Sequence, residues 1–389
     1  MIAIDRSKWR RVRFGDVVQS ITDRVDDPSS AGVERYVGLE HLDTGSLTIN
    51  RWGSPGDVEA TKLRFKPGDV VFARRRAYQR KLGQADFEGI ASAHSLVLRA
   101  RPDTLLSEFL PVFLSSDAFM DRAIQISVGS LSPTVNWKTL AVQEFDLPPI
   151  DEQKRIAALL WSTERTVRRH AEVSRVAASL LGAQSDRLCW GWAGTGRALA
   201  DLSTSGRLLD GDWIESKDQS PVGIRLLQLA DIGVGRFQDK SRKFVSEETF
   251  GRLRCTEVLP GDLLISRMAE PIGRTCEFCG LPERAITAVD VSILRIDPGR
   301  DSRDFWTFTL NAPKWTARVL ALGRGSTRVR VSRKDLEAIE VAPFELAVQQ
   351  DVAEHLGSIA HAVDAADAAA AATKDLRDSL AQWLFGGGS

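Results

Sequence analysis

The chain repeats itself, and the repeat limits what it can fold into. At an offset of 196 positions, residues 91–160 align with residues 287–356 without a gap, and about fifteen of the seventy positions are identical where roughly five would match by chance. The identities include Leu98 with Leu294, Arg99 with Arg295, Gly129-Ser130 with Gly325-Ser326, Lys138 with Lys334 and Gln153 with Gln349. Further upstream, Lys66-Pro67-Gly68-Asp69-Val70-Val71 answers Leu259-Pro260-Gly261-Asp262-Leu263-Leu264 at a slightly different offset, which one indel explains. A repeat of this length is a duplicated domain, so the chain holds two related globules rather than one fold of 389 residues.

Each copy ends in a helical pattern. In Asp146-Leu147-Pro148-Pro149-Ile150 the two prolines forbid a helix upstream, because each fixes its own φ and pushes the preceding residue into an extended conformation. Asp151 then stands where a side-chain oxygen can cap free amides. Beyond it, apolar residues recur at helical spacing from Ile156 through Leu159, Leu160, Val167, Val173, Leu180 and Leu181 to Leu188, predicting a helix over 151–190. At about 1.5 Å per residue it would be roughly 60 Å long, more than one compact domain needs. The matching segment is 346–385. With Ile156 as heptad position a, the seam is Ile156, Thr163, His170, Ala177 and Gln184 at a and Leu159, Thr166, Val173 and Leu180 at d, with Leu160, Val167, Leu181 and Leu188 beside them. The second seam is Val352, Ile359, Ala366, Thr373 and Leu380, then Ala362, Ala369, Leu376 and Trp383, with Leu356, Val363 and Leu384 beside them. Neither is apolar enough to stand alone. The expectation is an α+β chain with two similar globules separated by two long antiparallel helices, forming a coiled coil with a pseudo-twofold axis.

Within the globules, alternation and turn residues predict strands at Tyr36–Leu42, Val70–Ala73, Ser95–Arg99, Leu226–Leu229, Leu263–Ser266 and Val291–Leu294, with helices near Leu106–Phe119 and Phe305–Leu322. Fifty-two basic and fifty-two acidic residues cancel, so a surface for a polyanion has to come from local clustering. Four cysteines form no disulfide framework, and no apolar segment is long enough for a signal peptide or a membrane span, which points to the cytoplasm.

Local clustering does occur, in loops at matching places. Arg74-Arg75-Arg76-Ala77-Tyr78-Gln79-Arg80-Lys81 follows a strand directly and supplies guanidinium groups for phosphates or guanine edges, Gln79 for an adenine edge and Tyr78 as an apolar platform. Its counterpart runs from Ser266 and Arg267 to Arg274. A second loop carries Ser130, Asn136 and Lys138, and its counterpart carries Ser326, Thr327, Arg328, Arg330, Arg333 and Lys334. A single basic loop is usually only a solvated one, but the recurrence favours contact with DNA. Other patterns are weaker. Cys276-Glu277-Phe278-Cys279 with Cys255 has no second pair or histidine to complete a zinc site. Asp201, Glu215 and Lys217 outline a nuclease triad that short sequences often produce by chance. His170 falls on the helix seam, and no glycine-rich phosphate loop is present. No metal site and no catalytic residue is expected.

Taken together, the duplicated body, Leu147-Pro148-Pro149-Ile150-Asp151-Glu152-Gln153-Lys154-Arg155-Ile156 at the helix start, and the Pro-Gly-Asp turns ahead of Arg74 and Arg267 resemble the specificity subunit of type I restriction-modification enzymes. The second helix start, Val341-Ala342-Pro343-Phe344-Glu345-Leu346-Ala347-Val348-Gln349, keeps one proline and the glutamine. The resemblance implies target-recognition domains at 1–146 and 193–343, spacer helices at 147–192 and 344–385, and a tail or linker at 386–389. It implies a non-catalytic reader of double-stranded DNA with one half-site per domain, the coiled coil fixing the gap. Its partners would be two methyltransferase subunits and restriction/translocase subunits, which use S-adenosylmethionine, ATP and Mg2+; this chain would carry no cofactor. The rival expectation is a scaffold for a defence complex that reads no sequence itself.

Overall fold

The computed structural model describes residues 6–268, 270–325 and 328–385. Ser326, Thr327 and the tail at 386–389 lie outside the described residues. Two compact units divide the chain: the first runs to Glu172 and resumes at Ala366, and the second is Val173–Ala365. The fold is α+β, and the two units are built alike.

In the first unit, the strands Val18–Ile21, Ser95–Ala100, Val70–Ala73 and Leu82–Gln84 form an antiparallel sheet in that spatial order. The second unit repeats the order with Leu209–Asp210, Val291–Leu294, Leu263–Ser266 and Thr275–Glu277. These central strands read as unbroken apolar runs because both faces are covered. Val70 and Phe72 join the helical core with Phe109, Phe113 and Phe119, while Val71, Ala73 and Val97 join Phe65 and Ala91 of a second sheet. Leu263 and Ile265 likewise face Phe305, Trp306 and Trp315, while Leu264 and Ile293 face Leu227 and Ala285. Each unit therefore has three layers: helices, sheet, sheet. At about 1.5–3 kcal/mol for each large apolar side chain buried, the middle sheet anchors both cores.

The outer sheets share their centre and differ at the edges. Lys62–Phe65, Gly89–Ser92 and Tyr36–Val37 correspond to Glu257–Val258, Ala285–Thr287 and Ile224–Leu227, with one parallel pair in each. The first unit adds Arg24–Val25 beside Lys62–Phe65, whereas the second adds Phe244–Val245 and Gln219–Ser220 on the opposite edge. The strand expected over 36–42 stops at Val37, because a 3-10 turn at Leu39–His41 follows, held by the Gly38 amide donating to His41 Nδ1 at 3.0 Å. The expected helices near 106–119 and 305–322 are each broken in two. Ser116 caps the helix that starts at Asp117, and Pro313 opens the helix Pro313–Leu322.

The long helices are Ile150–Trp190 and Leu346–Phe385. In the first unit, Ile156, Ala157 and Leu160 share a core with Leu384 and Phe385, and Glu164 pairs with Arg377, so the segments run antiparallel. In the second, Leu188 and Cys189 share a core with Val352, Ala353 and Leu356 in the same sense. The heptad seam was half right. Among the a positions Ile156 and Ala366 are buried and the rest are half-buried, but Val173, Leu180, Leu376 and Trp383 from the d sets are about half exposed, at 53%, 47%, 55% and 49%. The buried line passes through Leu160, Leu356 and Leu384 beside the seam and Ala366 within it, and adds the unforeseen Glu164 and Arg377. The cause is Glu164: a charged residue in the seam hid the true register from a pattern of apolar residues.

Two devices recur in both copies and set the loops in place. Gln153 is buried and donates to the carbonyls of Thr104 and Pro148 while accepting from the Leu106 amide at 3.0 Å. Gln349 does the equivalent, donating to Phe344 O and Asp301 and accepting from the Ser302 amide at 2.8 Å. Asp69, almost fully buried, caps the Pro-Gly-Asp turn through the Lys66 amide and takes both nitrogens of Arg99 at 2.6 and 2.8 Å. Asp262 accepts from the Leu259 amide and takes Arg295 at 2.7 Å through each oxygen. Gly68 and Gly261 make these turns possible, at φ of 89° and 91°.

Candidate nucleic-acid interface

The buried strand Val70–Ala73 ends at Arg74, and the following loop meets the loop after Gly129. The Arg76 amide donates to Pro133 O at 2.7 Å, the Val135 amide donates to Arg74 O at 2.9 Å, and Arg75 bridges Thr134. In the second unit, Leu263–Ser266 ends at Arg267, whose carbonyl accepts the Val331 amide at 3.0 Å, and Met268 bridges Arg330. Segments about sixty residues apart in sequence thus form one surface in each unit. Gly129 and Gly325, at φ of 116° and 108°, turn the second loop back on itself at the same place in both.

The side chains behave differently in the two surfaces. In the first unit, Arg76, Tyr78, Ser130, Asn136 and Lys138 are exposed and Arg74, Arg75 and Gln79 are half-buried. Arg75 Nη1 lies 3.3 Å from His94 Nε2. Burial, together with Arg75, Arg74 and Lys62, holds the His94 imidazole below its ordinary value, so the ring is neutral and accepts from the guanidinium. Among the described residues, Arg74, Arg75 and Arg76 meet no carboxylate. Arg80 instead pairs with Asp117, and Lys81 donates to Leu39 O at 3.1 Å, which ties the end of the loop down.

In the second unit, Ser266 is fully buried and donates to Met268 O, and Arg274 donates to the carbonyls of Ile232, Leu229, Glu270 and Pro271; both shape the loop from within. Arg267 is 6% exposed, and burial lowers its pKa. It lies 3.5 Å from Asp210, which also accepts Arg333 at 2.7 Å, and Arg330 stands 3.1 Å from Asp290. Arg328 and Lys334 are exposed, while the Ser326 and Thr327 positions fall outside the described residues. Sequence reasoning missed His94, Asp210 and Asp290. The signal was available, since His94 and Asp290 fall on each other at the repeat offset, directly before equivalent strands.

The other candidates do not assemble. Glu215 and Lys217 form an exposed pair at 2.8 Å, and Asp201 accepts the Ala198 amide at 3.1 Å. Cys276 is buried in an apolar cluster, where its thiol is pushed up to about 12, and Cys279 is exposed. Among the described residues, no group of three His, Cys, Asp or Glu stands where it could hold a metal, and no helix is long and apolar enough to cross a membrane.

Residues 7–174 match the family model described as the Type I restriction modification DNA specificity domain. Over this stretch, a little under half of the chain, the sequence is similar to that family. Among curated proteins, the Type I restriction enzyme EcoDI specificity subunit of Escherichia coli is 25% identical over 152 residues, 39% of this chain and 33% of that relative. The match thus spans a third of the relative's length. Two solved structures share the fold along nearly the whole chain. One is a chain from a type I R-M system described for its complex assembly and conformational transition, with a TM-score of 0.60 at 22% identity, covering 98% of both chains. The other is the S subunit of a type I restriction-modification system from M. genitalium, with a TM-score of 0.56 at 13% identity, covering 98% of this chain and 97% of that one.

Proposed function

We propose that this chain is the non-catalytic DNA specificity subunit of a type I restriction-modification complex, with each unit reading one half of a split target. The observation behind the reading is the pair of loops that both units bring to the same place after the same buried strand, on a scaffold held by the Asp69–Arg99 and Asp262–Arg295 turns. Scaffold and loops have separate tasks. The turns fix where the loops stand, and the loops supply donors to phosphates and base edges.

In the first unit, Arg74, Arg75, Arg76 and Lys138 serve phosphates and guanine edges, Asn136 and Gln79 suit adenine, and Tyr78 offers an apolar face. In the second, Arg330, Arg333, Arg328 and Lys334 take the same roles. Methylation and ATP-driven cleavage fall to partners: two methyltransferase subunits, and restriction/translocase subunits, using S-adenosylmethionine, ATP and Mg2+ in the cytoplasm. Leu376 and Trp383, and Val173, Val176 and Leu180, are large apolar residues left exposed on the long helices, and they suit docking of the methyltransferases.

Mapping modified adenines in the host genome with and without this gene tests the reading. The expected result is a set of modified adenines within one split motif that vanishes on deletion. Modification that persists unchanged would refute it.

A further inference from the structure

The second unit's loops have a feature that DNA contact alone leaves unexplained: their arginines already face carboxylates of the same unit. Asp210 stands between Arg267 at 3.5 Å and Arg333 at 2.7 Å, Glu337 adds to Arg333 at 3.4 Å, and Asp290 meets Arg330 at 3.1 Å. The network is closed incompletely. Oδ1 of Asp210, Oδ1 of Asp290 and Nε of Arg267 are buried without an aligned hydrogen-bond partner. Buried polar atoms normally find one, so the arrangement keeps capacity for another donor or acceptor. The first unit shares the buried, unpartnered guanidinium atom, Nε of Arg74, but lacks the carboxylates. Through the strand registers Leu209↔Ile293 and Ile21↔Val97, Asp210 corresponds to Thr22, and Asp290 corresponds to His94. Three adjacent arginines there, Arg74 to Arg76, have no carboxylate among the described residues.

We infer that Asp210 and Asp290 are positioning residues for base recognition: they hold the second unit's arginines back from indiscriminate phosphate contact. The paired arginines of this unit then contribute base discrimination with little phosphate attraction, while Arg74 to Arg76, which have no carboxylate among the described residues, add sequence-independent attraction to the first unit's own reading. The inference rests on the reading of both loop pairs as DNA surfaces. Its chemistry is an exchange. An arginine paired with a carboxylate gains little by moving to a phosphate, since one anion replaces another. A guanine edge, with two acceptors in the plane of the guanidinium, can be met while the carboxylate still holds the remaining nitrogens. Removing the carboxylate charge frees the arginine for any phosphate and steepens the dependence on salt by about 0.9 per new contact.

The test uses the full-length chain, in the complex in which it purifies, carrying Asp210→Asn, Asp290→Asn or both. Binding to a 30-bp duplex of arbitrary sequence is titrated across salt, and duplexes selected from a randomised pool are sequenced. The expected result is several-fold tighter binding to the arbitrary duplex at low salt, a steeper slope, and loss of base preference in one half of the motif only. Loss of packing alone would weaken binding and would not produce this gain. Unchanged or weaker binding to the arbitrary duplex would overturn the inference, as would loss of preference in both halves. Should Asp210→Asn fail to fold, Asp290→Asn, which lies outside the strand Leu209–Asp210, decides by the same criteria. A wild-type chain that selects no split motif would instead refute the proposed function, and the salt titration would still decide the present point.

Discussion

Asp69 with Arg99 and Asp262 with Arg295 are the same device at the same place, down to both oxygens engaged at 2.6 to 2.8 Å. A few residues further along each chain segment the likeness ends: Arg74 to Arg76 meet no carboxylate among the described residues, and Arg267, Arg330 and Arg333 are bound to Asp210 and Asp290. Inside the helix pair the halves also part. The first unit buries Glu164 and Arg377, at 3% and 5% exposure, where the repeat offset puts Ala360 and Leu181 in the second. The turns that hold the loops are thus alike in both copies, while the charged side chains of the loops and of the helix pair differ.

The largest expected effect breaks the comparison at the helix pair. Glu164→Ala takes from the buried Arg377 its one buried carboxylate partner, leaving it the exposed Asp378, and takes a hydrogen-bond acceptor from Ser46 and the Leu47 amide, so a loss of about 3 kcal/mol is expected by denaturant unfolding. Adding Arg377→Leu, which copies the second unit's pair, should return most of it. If the double variant is no more stable than the single one, the pair is doing something other than compensating its own burial.

Next come the shared devices. Gln153→Ala and Gln349→Ala each strand buried backbone groups, at about 1–3 kcal/mol, and the two losses should match. A large loss in one and none in the other would show that the repeat is one of sequence only.

Asp212 sharpens the contrast through pH. Burial pushes its carboxyl up to about 6 in the folded chain, and the charged form is therefore disfavoured there. The sign follows: its contribution to stability is full below about pH 4 and is lost as pH rises towards 6. Asp212→Asn keeps an acceptor for the Thr256 amide, so it should raise the second unit's stability by about 2 kcal/mol above pH 6 and by little at pH 4. Melting curves at the two pH values check it, and an equal gain at both would contradict it.

The smallest effects on stability fall in the loops. Arg76→Ala should change unfolding by no more than about 0.5 kcal/mol, yet lower the salt slope of DNA binding by about 0.9 if it meets one phosphate. An unaltered slope would remove Arg76 from the contact surface.

Most of the scaffold was legible in the sequence because it depends on local rules that survive duplication. The Pro-Pro helix start, the Pro-Gly-Asp turns and the apolar runs Val70–Ala73 and Leu263–Ser266 each mean one thing physically, and the second copy repeats them. The helix seam was legible only in part, since Glu164 and Arg377 look like surface residues until they are seen paired. The loops were found, but the state of their side chains was not. Asp210 lies well over a hundred residues from Arg333, and nothing local in either stretch announces that they meet. Ser266 and Arg274 suffered from the same limit, as their partners are backbone carbonyls brought near by the fold.

The most direct measurement is a selection from a randomised duplex pool by the full-length wild-type chain and by the triple variant Arg74→Ala, Arg75→Ala, Arg76→Ala, each in the complex in which it purifies. Two short half-sites at a fixed separation are expected from the wild type, and the triple variant should degrade one of them and leave the other intact. A single contiguous motif, or equal damage to both halves, would contradict a division of reading between two like units.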